Sequence, residues 1–245
     1  MTYPGLSLEG RVAVVMGGTS GIGRSIALGF ARAGAELAAS SRRQSEVDST
    51  ADAIETLGRR ALRKASDVTR RSSLERLLEA ALGRFGKVDI LVNCESASGL
   101  APGAAAQDFD ASQETNLAGA VRACQVFGRH MLERGYGRIV NVASLASFGG
   151  LSEVTPYTGD RSGLAGLTRT LAVDWGGRGV LVNAIAPGVV ESSPRARELV
   201  QRTPLKRLGD LEELVGPAIF LASEASSFVN GHVLVVDGGF SATGV

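Results

Sequence analysis

The sequence predicts a doubly wound α/β fold, a single domain over residues 1–245 built on a parallel sheet of about seven strands with helices on both faces. Three observations predict it. Short runs rich in β-branched residues alternate with longer segments of helical apolar spacing. A cluster of glycines opens the first helix directly after the first run. No linker, internal repeat or low-complexity tract divides the chain. Strands alternating with helices of this length imply right-handed βαβ crossovers, and hence a parallel sheet covered on both sides.

The strand candidates, in order, are RVAVVM (11–16), AELAASS (35–41), ALRKAS (61–66), VDILVN (88–93), GRIVNVAS (137–144), VLVNAIA (180–186) and HVLVVD (232–237). Helical patterns fill the intervals at roughly 22–34, 45–58, 72–85, 108–134, 157–176 and 211–222. Composition fits one substantial buried core, with 44% hydrophobic residues, 21% charged residues and a net charge of +1. A balance so near neutral, without a basic tract, argues against nucleic acid or an anionic membrane surface as partner. The opening MTYPGLSLEG has no basic region followed by an apolar run, and no apolar stretch approaches the roughly 20 residues of a spanning helix, so a cytoplasmic location is expected. Cys94 and Cys124 fall in a strand end and a helix, positions that suit buried thiols better than a disulfide or a metal site.

The chemistry begins at GGTSGIG, residues 17–23. Gly17, Gly21 and Gly23 leave no Cβ in the way of a phosphate, and the N–H groups and dipole of the helix starting near Ile22 favour an anionic pyrophosphate. Strand-to-helix turns without a ligand also use glycine, but placement at the first strand points to a dinucleotide. The second strand then ends SSRRQ. An acidic residue at this position bonds the ribose hydroxyls of NAD, whereas a nearby arginine accommodates the 2'-phosphate of NADP. Ser41 holds the acidic position and Arg42 follows, which reads as NADP(H), with the Arg42 guanidinium gripping phosphate through two hydrogen bonds. Arg43 reads as a solvated loop arginine.

Taken together these stretches resemble the short-chain dehydrogenase/reductase family, in that family's order and over nearly the whole chain. GGTSGIG is similar to its cofactor loop, so the resemblance assigns Gly17, Thr19, Ser20, Gly21, Ile22 and Gly23 to a Rossmann-type nucleotide site. Asp67 and Val68 resemble the pair that contacts adenine, Asn93 begins the family's Asn-Asn-Ala-Gly stretch, and Pro187, Gly188 and Val190 lie in the segment that meets the nicotinamide. Asn116, Ser144 and Tyr157 match the catalytic set, with Ser144 thirteen residues ahead of Tyr157. The resemblance implies hydride transfer between a nicotinamide and a carbonyl or alcohol carbon. Tyr157 would be the general acid or base, Ser144 would hold the substrate oxygen, and Asn116 would keep a proton-relaying water. GRHMLERGYGRIVNVAS and RTPLKRLG look most like dehydrogenases of sugars, sugar acids and polyols.

The departures from the family pattern are concentrated around that chemistry. A phenol titrating near pH 10 needs a positive neighbour to act as a base at neutral pH. The family uses a lysine; here Arg161 stands one helical turn after Tyr157, which keeps the charge but changes the geometry and removes a transferable proton. Tyr157 and Arg161 are also expected to contact the nicotinamide ribose. Met16 replaces a threonine ahead of the first glycine, and Cys94, Glu95 and Ser96 follow Asn93 where the family has a second Asn and then Ala-Gly. Glu95 turned inward would repel a pyrophosphate or demand a cation; turned outward it would be inert. For Asp160, facing solvent or pairing with a neighbour is the more natural expectation. Residues 187–210 form a short substrate-loop region in which Ser192 stands for a threonine, and Arg195 and Arg197 fall in a short helix after Pro194.

The sequence thus favours an NADP(H)-dependent oxidoreductase acting on a small molecule. A redox-neutral enzyme reusing the pocket and a catalytically silent subunit are the competing readings. The apolar patterns of the 108–134 and 157–176 helices exceed what one sheet face needs, and in the family these helices pair across subunits, so a homodimer or homotetramer is expected.

Overall fold

Six short runs dominated by Val, Ile, Leu and Ala become strands, most of them buried on both faces, where β-branched side chains pack well against helices. In the computed structural model, which describes residues 3–95, 110–148, 155–190 and 196–243 and leaves aside the side chains of 146 and 155–157, the strands are β1 (Val12–Met16), β2 (Glu36–Ser40), β3 (Ile90–Asn93), β4 (Gly137–Val142), β5 (Val180–Pro187) and β6 (Val233–Val236). They pair in parallel in the order β2-β1-β3-β4-β5-β6. The helices are α1 (Gly21–Arg32), α2 (Gln44–Thr56), α3 (Arg71–Phe85), α4 (Gly119–Arg134), α5 (Thr155–Gly176), α6 (Ala196–Arg202) and α7 (Val215–Ala222). No helix among the described residues is long and apolar enough to cross a membrane.

Alternation along the strands divides the core in two. Val15, Val92, Val140 and Ile185 pack with Phe30 of α1 and Leu221 of α7 on one face. Val14, Leu91, Ile139 and Val182 pack with Leu77 of α3 and Phe127 of α4 on the other. Strand order reverses at β1, which has β2 on one side and β3 on the other, so a crevice opens at the carboxyl ends of β1 and β3.

The sheet has six strands among the described residues, not the seven expected. The 61–66 segment runs beside β2 but makes only one parallel bridge, Leu37 with Ala61. Beyond Leu62 its carbonyls are taken by side chains: the Ser40 hydroxyl donates to the Lys64 carbonyl at 2.7 Å and the Gln44 amide reaches that of Arg63. A ladder needs backbone partners, and these are diverted. The helix expected over 108–134 also departs from a uniform spiral, since Gln113–Ala118 forms a π-helical turn ahead of α4.

At the amino ends of the strands the charges are closed into networks. Asp89, wholly buried, accepts from the Val12 N–H at 2.9 Å and pairs with Lys87 at 2.9 Å and Arg134 at 3.1 Å. Tyr136 lies between the Arg11 and Arg138 guanidiniums, 4.2 and 4.6 Å from its ring centre, and all three bond Glu224.

Candidate active site

The glycine loop is shaped by close backbone approach. Gly17 has φ +69°, and a Cβ there would stand 2.7 Å from the Cys94 carbonyl; a Cβ on Gly23 would stand 2.1 Å from the Gly17 carbonyl. Only glycine fits either place. Gly21, at φ +46°, begins α1, and Ser20 at its N-cap makes no side-chain bond to the first N–H groups. Those donors point out of the end of β1, where the helix dipole favours an anion. Met16 is fully buried in the core. The loop is tied down elsewhere, by the Gly17 and Gly18 N–H groups bonding the Ser40 carbonyl and by the Thr19 hydroxyl reaching Ser41 Oγ at 2.9 Å and Glu46 Oε2 at 3.2 Å.

The end of β2 brings Ser41 beside this loop and leaves Arg42 exposed. Arg43 is exposed as well and closes an ion pair with Glu46, consistent with a loop arginine. Arg42 acts instead on two carboxylates. Burial works to raise the Asp67 titration, but two hydrogen bonds from Thr69 and the charges of Arg70 and Arg42 outweigh it and hold this carboxyl below its ordinary range. For Glu95 burial wins. Its titration is pushed up to about 7, with Arg42 and the Gly17 N–H opposing that shift and Asp67 adding to it. Glu95 is half-buried and lines the cavity that it shares with Asn93, Asn116 and Arg161. Val68 is buried nearby.

The π-helical turn places Asn116 inside the molecule, 3% exposed. Its Nδ2 donates to Ser112 Oγ at 2.9 Å and to Asp160 Oδ2 at 3.0 Å, and the Ser112 hydroxyl donates to the same oxygen at 2.5 Å. Asp160 is wholly buried, so the alternative of a solvent-facing carboxylate falls and the paired one holds. Its Oδ1 has no hydrogen-bond partner among the described residues. Arg161 is 4% exposed and its Nη1 donates to the Val142 carbonyl at 2.8 Å, which fixes the guanidinium at the carboxyl end of β4. Ser144 is buried just beyond that strand. Asn93 donates to Asn141 Oδ1 at 2.8 Å and to the Cys124 sulfur at 3.3 Å. Cys124, buried, is pushed up to about 12 and is inert; neither Cys94 nor Cys124 is in a disulfide. A cavity lined by Val68, Asn93, Glu95, Asn116, Arg161 and Leu164 joins the two groups of residues.

Farther along the edge, Pro187 ends β5 and the Gly188 N–H donates to the Val236 carbonyl of β6 at 2.8 Å. A second cavity lies there, lined by Gly188, Val190, Leu205, Arg207 and Asp237. Arg207 is held by two 2.7 Å bonds to Glu213. Arg197 is exposed on α6. Ser96, Ser192, Pro194, Arg195 and the Tyr157 side chain lie outside the described residues; the backbone of Tyr157 belongs to α5, one turn before Arg161. Ser112 was not singled out from the sequence, though it stands one turn before Asn116 and shares its helix face.

The chain is similar over its whole length to known proteins. A family model described as enoyl-(acyl carrier protein) reductase matches residues 17–241. The chain is 38% identical over 251 residues to D-threitol dehydrogenase of Mycolicibacterium smegmatis, covering 96% of this chain and 94% of that protein. It is also 38% identical over 253 residues to gluconate 5-dehydrogenase of Gluconobacter oxydans, covering 98% and 99%. Gluconate 5-dehydrogenase of Burkholderia cenocepacia, crystallised with NADP and tartrate, superposes with a TM-score of 0.93 at 33% identity and 98% coverage of both chains. Similarity that runs the full length, through the glycine loop and on to the last strand, shows that the chain belongs to the short-chain dehydrogenase/reductase family.

Proposed function

We propose that this protein is an NADP(H)-dependent oxidoreductase that interconverts a carbonyl and an alcohol on a small sugar-like or keto/hydroxy substrate. The observation that carries the reading is the position of Arg42: exposed at the end of β2, beside a glycine loop that two would-be Cβ clashes keep open, where a 2'-phosphate needs a cation. Gly17, Thr19, Ser20, Gly21, Ile22 and Gly23 would cradle the pyrophosphate and ribose, Ser41 and Arg42 the 2'-phosphate, and Asp67 and Val68 the adenine. Asn93, Tyr157 and Arg161 would reach the nicotinamide ribose, and Pro187, Gly188 and Val190 its ring. The full-length similarity to dehydrogenases of gluconate and a tetritol supports the substrate class.

When bound, the nicotinamide supplies or takes up the hydride. The chain's own residues handle the proton. Tyr157 donates it to, or removes it from, the substrate oxygen that Ser144 holds. Arg161, fixed on the Val142 carbonyl one turn along α5, contributes the positive charge that stabilises a phenolate. Asp160 and Ser112 fix the Asn116 amide through charge-assisted and neutral hydrogen bonds, so the π-turn presents one orientation. Nothing in this geometry favours redox-neutral chemistry or a silent subunit. Self-association into a dimer or tetramer is part of the same reading, from the apolar patterns of the 108–134 and 157–176 segments.

The test is calorimetric titration with NADPH, NADP, NADH and NAD, followed by NADP reduction with aldonic acids and polyols and NADPH oxidation with the matching keto compounds. The reading expects tighter binding of the 2'-phosphorylated pair and turnover with at least one substrate pair. Equal affinity for NADH and NADPH would overturn the role of Arg42.

A further inference from the structure

The two arginines after β2 share their surroundings with a carboxylate that the proposed reaction does not use. Glu46, in the first turn of α2, closes an ion pair with Arg43 and accepts a hydrogen bond from the Thr19 hydroxyl at 3.2 Å. That hydroxyl also reaches Ser41 Oγ at 2.9 Å, so its one proton is divided between two acceptors. Three elements meet at this point: the glycine loop through Thr19, which is buried, the end of β2 through Ser41, and α2 through Glu46. The Arg43 guanidinium, against the opposing effect of burial and with help from Thr19, holds the Glu46 carboxyl below its ordinary range. It is an anion at neutral pH.

Thr19 and Ser41 border the place assigned above to the adenosine ribose and its 2'-phosphate. Ser41 stands where a carboxylate at the strand end would bond the ribose hydroxyls of NAD, and it carries no charge. The fold returns a carboxylate to the same spot from the helix, one shared hydroxyl away from Ser41. Its effects on the two nucleotides are opposite. A 2'-phosphate meets a like charge and finds both the Arg43 guanidinium and the Thr19 proton already engaged, so the contact falls to Arg42. A ribose 2'-hydroxyl meets an acceptor.

We propose that Glu46 is a specificity-determining residue for the cofactor: its carboxylate opposes the 2'-phosphate of NADP(H), accepts a hydrogen bond from the ribose 2'-hydroxyl of NAD(H), and keeps Arg43 away from either. The inference rests on the NADP(H) reading above and deepens it. Arg42 sets the direction of the preference, and Glu46 limits its size. Arg43, a solvated loop arginine in the free protein, is then a second phosphate ligand held in reserve, released when the Glu46 charge is removed.

The experiment is calorimetric titration of the full-length protein with NADPH and with NADH, for wild type, Glu46→Gln and the double variant Glu46→Gln with Arg43→Ala. Gln keeps the size of the side chain and an oxygen for the Thr19 hydroxyl, and loses only the charge. Glu46→Gln is expected to bind NADPH about fivefold tighter and NADH about twofold weaker, so the ratio of the two affinities rises about tenfold. Adding Arg43→Ala is expected to take back most of the NADPH gain and to leave NADH where it was. An unchanged or lowered ratio in Glu46→Gln would overturn the proposal, as would an equal shift for both nucleotides, which is what a purely structural role in the loop would give. A full NADPH gain that survives Arg43→Ala would overturn the part given to Arg43. Equal affinity of wild type for the two nucleotides would instead overturn the NADP(H) reading, and that outcome is separate, because the effect of Glu46 is read as variant against wild type.

Discussion

The two ends of the sheet use the same kinds of residue to opposite effect. At the amino end, Asp89 is wholly buried and both its oxygens are engaged, by Val12, Lys87 and Arg134. At the carboxyl end, Asp160 is just as buried, yet Oδ2 takes both of its hydrogen bonds and Oδ1 takes none from the described residues. Glu224, though exposed, collects Arg11, Tyr136 and Arg138 at the same closed end as Asp89. A buried charge whose every lone pair is met holds structure together; one left partly open sits ready for a water, a proton or a ligand. Burial alone does not separate the two cases.

The largest effect should come from the closed end. Asp89→Ala is expected to lower the unfolding free energy by about 3 kcal/mol, because Lys87 and Arg134 lose their anion and the Val12 N–H its acceptor. Urea denaturation measures it, and KM should not move. A neutral result would remove the distinction between the ends. Next comes Asp160→Asn, which keeps the shape and removes the charge. It is expected to lower kcat/KM about tenfold, through a loosened Asn116 amide, while stability stays level or rises. A large loss of stability with unchanged kinetics would make Asp160 a second Asp89. Ser112→Ala removes one neutral donor from the same oxygen, and a fall in kcat of about threefold is expected, read against an unchanged melting temperature. Arg161→Lys should have the smallest cost, with the rate preserved or increased, since lysine restores a transferable proton at a site already built for a cation. Loss of all activity in that variant would show that the guanidinium is required.

Much of this was legible in the chain. GGTSGIG announces a glycine-lined strand-to-helix turn because few other residues tolerate such backbone approaches, and six of the seven strand candidates are strands. The 61–66 run reads as a strand only from its place in the strand–helix alternation, since ALRKAS holds no β-branched or aromatic residue. What stops the ladder is capture of its carbonyls by Ser40 and Gln44, and side-chain partners leave no mark on periodicity. Asp160 was visible as a charge one residue from Arg161, but its complete burial depends on how α5 packs against the π-turn, and that turn has no sequence signature of its own. Glu95 showed as a carboxylate out of place; that it lines a cavity with Asn93, Asn116 and Arg161 is a matter of one side-chain direction. Arg42, by contrast, could be placed from the sequence alone, since its position at the end of the second strand is set by the chain order.

The irregular 61–66 segment has a further consequence, for solubility. β2 is the outer strand of a parallel sheet, and its free edge would offer another copy of the chain a row of unpaired N–H and C=O groups. The segment covers that edge with a few bonds, from the Leu62 N–H to Leu37 and from the Ser66 N–H to Ser41, while displaying exposed Arg63 and Lys64 outward. Because it forms no ladder of its own, it passes no new edge on. A strand there would have moved the exposed edge outward by one position; a charged, broken stretch of chain closes it, and growth into aggregates by strand addition is blocked from this side.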